Sequence, residues 1–348
     1  MRNAPGTSTP AIRVMQSFGP PRPTTNPYIH MLDAALAETP GVEHLRFDRR
    51  QALLGRYDAL QLHWPELLLR GSTPSRTLAR RAFATALRLR LSVTRVALIH
   101  TLHNVRPHAD ASRWERGYLA WLDRRVDHRI LLNEQTALPA GAASTLIPHG
   151  HYRAWFASVP AVPPTPGLLS FVGLVRPYKG VEDLLEAFAS TASTHPELRL
   201  RIAGSPSSAA IEREVRARAA TDARVEVDFR YLPEEEFANA VMGSSGVVLP
   251  YRFMHNSGSA LAALSLGRPV LVPRTEVNEA LSREVGPGWV STFDGALAGA
   301  DLERFAASAA QPPSAPPDLS GRDWDRVGAA HREAFQQAIA RRSRRSRP

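Results

Sequence analysis

The chain has no cysteine among its 348 residues, which excludes a disulfide framework and a thiolate-held zinc site and fits a reducing compartment. It also lacks any apolar run near the roughly 18–20 residues that a membrane-crossing helix needs. The first 25 residues, rich in Pro and Thr, have no apolar core of the kind a secretory signal carries. The expected location is the cytoplasm. Acid is in short supply: 33 Asp and Glu stand against 43 Lys and Arg, a formal net charge of +10. An anionic partner is therefore expected, be it nucleic acid, anionic lipid or a sugar nucleotide. The non-enzyme alternative, a nucleic-acid-binding protein, is favoured only by charge and by the Arg-rich tail, because neither a helix-turn-helix nor an aromatic stacking platform is found, and no nucleic-acid partner is expected. The twelve histidines show no metal-ligand spacing. What the chain does have is 43% hydrophobic residues, enough for two cores of about 150 residues each.

Buried-strand candidates alternate with helical ones. Strands are expected at 12–17, 59–63, 96–100, 129–132, 169–172, 199–203, 225–229, 246–250 and 270–272, with helices such as 27–37, 76–90, 181–191, 209–219 and 257–266 between them. The fold class is α/β with parallel sheets. The proline-rich stretch Ser158–Gly167 reads as a linker. The expected organisation is a first domain over 1–157, a linker over 158–166, a second domain over 167–322, a terminal helix over 323–341 and a disordered basic tail over 342–348.

Two stretches look built for phosphate: Phe171–Gly180 (F-V-G-L-V-R-P-Y-K-G) and Tyr251–Pro273 (Y-R-F-M-H-N-S-G-S-A-L-A-A-L-S-L-G-R-P-V-L-V-P). Each is a hydrophobic run that breaks into small or cationic residues and then into a helical pattern, so backbone amides and positive charge face whatever lies before the helix. Two such sites suit a nucleoside diphosphate.

A V-G-x-x-x-P-x-K-G turn followed by S-G-x-x-x-x-A-x-x-x-G-x-P-V, within two Rossmann-like halves, resembles the GT-B glycosyltransferases. More narrowly, Thr25–Tyr28, Arg56–Glu66, Thr101–Asn104, His149–Phe156, Arg176–Gly180 and His255–Val270 resemble the β-mannosyltransferases of xanthan-like exopolysaccharide assembly. The resemblance implies two Rossmann-like domains facing across a crevice, a terminal helix returning to the first domain, and metal-independent chemistry without a cofactor. It also implies inverting transfer of mannose from GDP-mannose to a polyprenyl-diphosphate-linked oligosaccharide. Retaining members of the fold carry a pair of glutamates at positions that are Met254 and Ala262 here. Their loss argues for inversion, with a retaining transferase that lost the pair as the alternative. The arginine usually found after the glycine of the K-G turn is Leu174, and the available one is Arg176.

The donor is expected on Gly173, Arg176, Lys179, Asn256, Ser257, Gly258 and Ser259, where a guanidinium fork, an ammonium and helix-start amides neutralise the diphosphate. Tyr231 and Leu232 are the expected base contacts. In the first domain His63 and Glu66 follow one strand and His103 and Asn104 another, so they face the ligand side of a doubly wound sheet. His103 or Glu66 is the expected general base. Asn26, Tyr28, His63, Asn104 and His151 are expected acceptor contacts, and His149 lies with them near the hinge. Asp323 and Asp325 have D-x-D spacing but precede a helix, so Asp323 reads as a cap, and no metal is assigned. Residues 76–95 hold six arginines and no acid, with Leu78, Ala82, Phe83, Ala86 and Leu89 as an apolar stripe. This reads as a helix lying on the anionic inner membrane surface through Arg80, Arg81, Arg88 and Arg90, which would make the protein peripheral.

Overall fold

The structure, a computed structural model, describes residues 11–103 and 112–345. They divide into two compact units, Met1–Gly150 with Asp323–Pro348, and His151–Arg322.

In the first unit β1 (Ile12–Gln16), β2 (Val42–Leu45), β3 (Ala59–Leu62), β4 (Ala97–Leu102), β5 (His128–Leu131) and β6 (Ser144–Leu146) form a parallel sheet in the order β2-β1-β3-β4-β5-β6. Its helices are α1 (Pro27–Ala37), α2 (Arg49–Leu54), α3 (Pro74–Val93) and α4 (Arg113–Arg125). The central strand β3, A-L-Q-L, is buried throughout. Its one polar side chain, Gln61, donates from Nε2 to Thr101 Oγ1 at 2.9 Å, while its Oε1 is buried without a hydrogen-bond partner among the described residues. After β2 the chain crosses to the other side of β1, so the strand order reverses between β1 and β3. A doubly wound sheet opens its ligand crevice at the C-terminal ends of such strands.

The second unit has β7 (Thr165–Val172), β8 (Arg199–Ala203), β9 (Val225–Asp228), β10 (Ser244–Val248), β11 (Val270–Pro273) and β12 (Val290–Phe293), ordered β12-β11-β10-β7-β8-β9. Its helices are α5 (Val181–Ala189), α6 (Ala209–Ala219), α7 (Glu234–Met242), α8 (Gly258–Ser265), α9 (Glu276–Val285) and α10 (Gly299–Ala309). Here the order reverses between β7 and β10.

The final helix, α11 (Val327–Arg345), packs on α1, β3, β4 and β5 of the first unit. Its buried face is Val327, His331, Ala334, Phe335 and Ala338, the spacing of one helical stripe. Gly328 lets it come close to α1, because a Cβ there would lie 2.0 Å from Thr39 Oγ1. Phe335 is fully buried, so Phe335→Ala is expected to cost about 3–5 kcal/mol, seen as a lower denaturation midpoint. An unchanged midpoint would show that α11 adds nothing to the first unit.

Three expectations differ from what is observed. The domain break falls at Gly150/His151 rather than near 157, because the side chains of Tyr152 and Phe156 are buried in the second unit. Tyr152 N donates to Ser265 Oγ at 2.9 Å, and Phe156 stacks on Phe237 at 6.1 Å. Strand β7 begins inside the expected linker, with Pro166 tolerated where the pairing with β10 shifts register between Ser244 and Gly246. The last helix starts at Val327, so Asp323 is not its cap, and it continues through Arg345 instead of ending at 341.

Candidate active site

In the second unit the phosphate-facing residues sit at the β7/β10 reversal. After β7 the chain turns through Gly173, whose φ of 132° suits glycine, and a short 3-10 turn Pro177–Lys179 leads into α5. Gly180, at φ 65°, could not be another residue: its Cβ would lie 2.2 Å from Pro250 O. That contact seats the K-G turn against the end of β10. Arg252 holds it there, donating to both oxygens of Asp183 in the first turn of α5 at 2.8 Å each.

The Lys179 side chain is buried, with Nζ 4.9 Å from the ring centre of Tyr251 and 5.7 Å from that of Phe171. Aromatic faces hold a cation there without neutralising it. Burial pulls its ammonium down to about 8, with Arg176 a further lowering influence. Tyr251 also donates from its hydroxyl to Ser259 Oγ at 3.1 Å, and burial pushes that phenol up to about 12. A side chain on Gly173 would reach to 3.5 Å from Lys179 Nζ and 4.0 Å from Ser259 Oγ. Gly173, Lys179 and Ser259 thus border one small concavity. Ser257 caps α8 by accepting from Ala260 N at 3.2 Å, so the positive end of that helix opens beside it. Asn256 and Gly258 belong to the same half-buried turn. Tyr231, 53% exposed, and Leu232 follow β9, two strands from β7, about 10 Å at the usual strand spacing. The two positions that lack carboxylates are buried: Met254 sulfur accepts from Asn278 Nδ2 at 3.5 Å, and Ala262 lies inside α8.

In the first unit the candidate residues meet at the β1/β3 reversal. His63 N donates to Ser17 Oγ at 3.0 Å, and the His63 ring lies between Gln16 Oε1 and His103 Nε2, 3.1 Å from each. With the Gln16 oxygen as acceptor, His63 donates from Nε2, and its Nδ1 accepts from His103 Nε2–H. Nδ1 is then the basic nitrogen of His103. Trp64 stacks on the His103 ring at 4.0 Å, and Tyr28 meets it edge-on at 5.2 Å. Tyr28 also contacts the rings of His149 at 4.6 Å and Trp324 at 5.6 Å. Burial, then the neighbouring His63 and His149, holds the His103 imidazole well below its usual range; burial does the same to His63. Both rings are therefore neutral near pH 7, and burial raises the Tyr28 phenol. A cavity of about 500 Å³ opens beside them, lined in part by Trp64, Glu66, His100, His103 and Arg129. Burial and Arg129 bring His100 to about 4. A neutral imidazole, a carboxylate and an aromatic platform suit a hydroxyl-bearing substrate and removal of its proton.

Other expected residues are placed differently. Asn26 caps α1, accepting from Tyr28 N at 3.0 Å, while Asn104 lies outside the described residues. His151 belongs to the second unit, where its Nδ1 accepts from Arg153 N at 3.2 Å and its own N donates to Arg322 O at 3.2 Å. The four arginines expected to meet lipid make contacts within the first unit. Arg80 donates to the carbonyls of Leu67 and Arg70, and Arg90 to those of Leu53 and Gly55. Arg81 lies over Trp114 and Arg88 over Trp121, at 5.2 and 5.1 Å. Gln16, Trp64, Tyr251 and Trp324 were not singled out from the sequence. Trp64 and Tyr251 lie inside motifs that were, directly beside the residues chosen.

Residues 166–311 match the family described as glycosyl transferases group 1. Over 335 residues, 96% of this chain and 95% of the relative, the sequence is 41% identical to the GDP-mannose:glycolipid 4-beta-D-mannosyltransferase of Xanthomonas campestris pv. campestris. Among solved structures, AviGT4, a glycosyltransferase involved in avilamycin A biosynthesis, is 16% identical with a TM-score of 0.57, covering 94% of this chain and 98% of that one. Sucrose-phosphate synthase from Thermosynechococcus elongatus is 15% identical, also with a TM-score of 0.57, covering 97% of both chains. These two likenesses fix the fold.

Proposed function

This chain belongs to the GT-B glycosyltransferases of group 1, and from that premise we propose that it transfers mannose from GDP-mannose, with inversion, to a polyprenyl-diphosphate-linked oligosaccharide in exopolysaccharide assembly. The name of the relative, with its 41% identity over nearly the whole chain, supports the donor, the β linkage and a glycolipid acceptor. The structural observation that carries the donor side is the buried Lys179 held under Tyr251 at the β7/β10 reversal, beside the start of α8.

In the proposed reaction an acceptor hydroxyl in the cavity of the first unit attacks the anomeric carbon. The new C–O bond forms as the bond from that carbon to the diphosphate oxygen breaks, and GDP leaves with the bonding pair. His103 takes the hydroxyl proton at Nδ1. Lys179, Arg176 and the amides of Ser257–Ser259 stabilise the charge that develops on the leaving diphosphate. Tyr231 and Leu232 contact the base. Glu66, on the cavity wall, binds acceptor hydroxyls. No divalent metal takes part, and the enzyme works as a peripheral protein on the cytoplasmic membrane face. Among the described residues no helix is long and apolar enough to cross a membrane.

The test is product analysis with GDP-mannose and a lipid-linked oligosaccharide acceptor. The expected product is β-linked, and turnover persists in EDTA. An α-linked product would overturn inversion. Loss of turnover in chelator, restored by magnesium or manganese, would overturn metal independence.

A further inference from the structure

The arginines of α3 nearest its start are engaged inside the protein, yet positive charge is concentrated at its other end. Arg125 donates to the carbonyls of Leu91 at 3.2 and 3.1 Å and of Val96 at 2.8 Å, and to Asp127 Oδ2 at 2.6 Å. Arg342, in the last turn of α11, donates to Thr94 O at 2.8 Å. Arg345 lies 3.6 Å from the other oxygen of the same Asp127. Arg341, which donates to Gly141 O at 3.4 Å, and Arg344 extend this group along a cavity of about 810 Å³ whose lining among the described residues includes no carboxylate. Of these five guanidiniums, Arg125 and Arg345 lie within ion-pair distance of one carboxylate, Asp127, and that carboxylate is buried. Mutual repulsion of this kind is relieved by an external anion.

Apolar surface adjoins the cluster. Val93, immediately before the Thr94 that Arg342 holds, is 84% exposed, and Leu89 one turn earlier is 64% exposed. Leu78, 71% exposed, lies on the same face of α3, since positions 78, 82, 85, 89 and 93 recur at helical spacing. A face with apolar side chains beside clustered arginines fits the boundary between headgroups and acyl chains.

We infer that the C-terminal half of α3 and the last turn of α11 together form the surface by which this chain sits on an anionic bilayer, with phospholipid headgroups against Arg341, Arg344 and Arg345 and acyl chains against Leu89 and Val93. This rests on the peripheral reading proposed above and moves its contact surface from Arg80, Arg81, Arg88 and Arg90 to Leu89 and Val93 of α3 and the arginines that end α11.

The experiment is co-sedimentation of the full chain with vesicles of phosphatidylglycerol and phosphatidylcholine, and with phosphatidylcholine alone. GDP affinity serves as the fold control for every variant. Wild type is expected to sediment only with the anionic vesicles and to be released by salt. Arg341→Ser with Arg344→Ser should weaken partitioning about thirtyfold, and Leu89→Ser with Val93→Ser about tenfold, all with GDP affinity unchanged. If wild type sediments and the arginine pair sediments equally, this surface is wrong while the peripheral reading stands. If wild type stays in the supernatant, both fail. Binding of duplex DNA or of soluble inorganic phosphate with the same dependence on Arg341 and Arg344, and without dependence on Leu89 and Val93, would show a general anion site and overturn the bilayer assignment.

Discussion

Replacing Lys179 with methionine is expected to give a protein that unfolds at a higher temperature and has lost most of its affinity for GDP. The ammonium lies between Phe171 and Tyr251 and its value has fallen from 10.5 to about 8. Such a fall means that the folded state withholds about 3 kcal/mol from the charged form. The sign follows from the folded value lying below the unfolded one. The penalty is fully present below about pH 8 and fades as pH rises toward 10.5, where the unfolded chain also loses the proton. Wild type should therefore gain stability relative to Lys179→Met across that window. Affinity runs the opposite way. The charged amine is the form that pairs with a diphosphate, so GDP binding should weaken as pH rises past about 8, and the variant should lose about 1.5–3 kcal/mol, some ten- to hundredfold. Calorimetry of unfolding and of GDP binding at pH 7 and pH 9 measures both. Equal GDP affinity for wild type and variant would place the diphosphate elsewhere.

His103→Gln is expected to lower turnover by about 10²–10⁴ and leave GDP affinity intact, because the proposed diphosphate contacts lie in the other unit. The base must be neutral to act, and burial keeps the imidazole well below its ordinary value. The acid limb of the kcat/KM profile should therefore fall below the range of an unperturbed histidine, with activity level through neutrality and lost only as pH drops through that lowered value. His63→Gln should lower kcat less and move the limb upward, since His63 is among the neighbours that hold the His103 value down. Glu66→Gln should raise KM for the acceptor more than it lowers kcat. If Glu66→Gln removes turnover while His103→Gln retains it, the two roles are exchanged.

How far the sequence reveals this fold depends on where each strand lies. The central strands β3, β4, β7 and β10 are largely buried on both faces, and their apolar stretches are recognisable as runs. β2 (V-E-H-L), β6 (S-T-L) and β12 (V-S-T-F) are short, polar edge strands, paired on one side only, and their neighbours determine them rather than their own residues. The turn proposed for the donor is legible because Gly173, Lys179, Gly180 and the S-G-S start of α8 have each a backbone or charge reason to be there. For Arg80, Arg81, Arg88 and Arg90 the sequence shows an outward face but not the contacts made there. Helical periodicity separates buried from outward faces, but it cannot show that an outward guanidinium folds back onto a carbonyl or an indole of the next element. The His63–His103 pair was legible only as two strand ends; their 3.1 Å approach comes from strand order, which no local pattern encodes.

The return of α11 to the first unit sets an order of events during synthesis. β1 through β6 leave the ribosome early, but the helix that covers β3, β4 and β5 emerges only after all of His151–Arg322. At about 5–20 residues per second, the first sheet waits roughly ten to thirty seconds with the place of Phe335 and Ala338 uncovered. During that interval the nascent first unit presents an apolar face to whatever is nearby, and a chaperone that binds it then would be released by the last helix of the same chain.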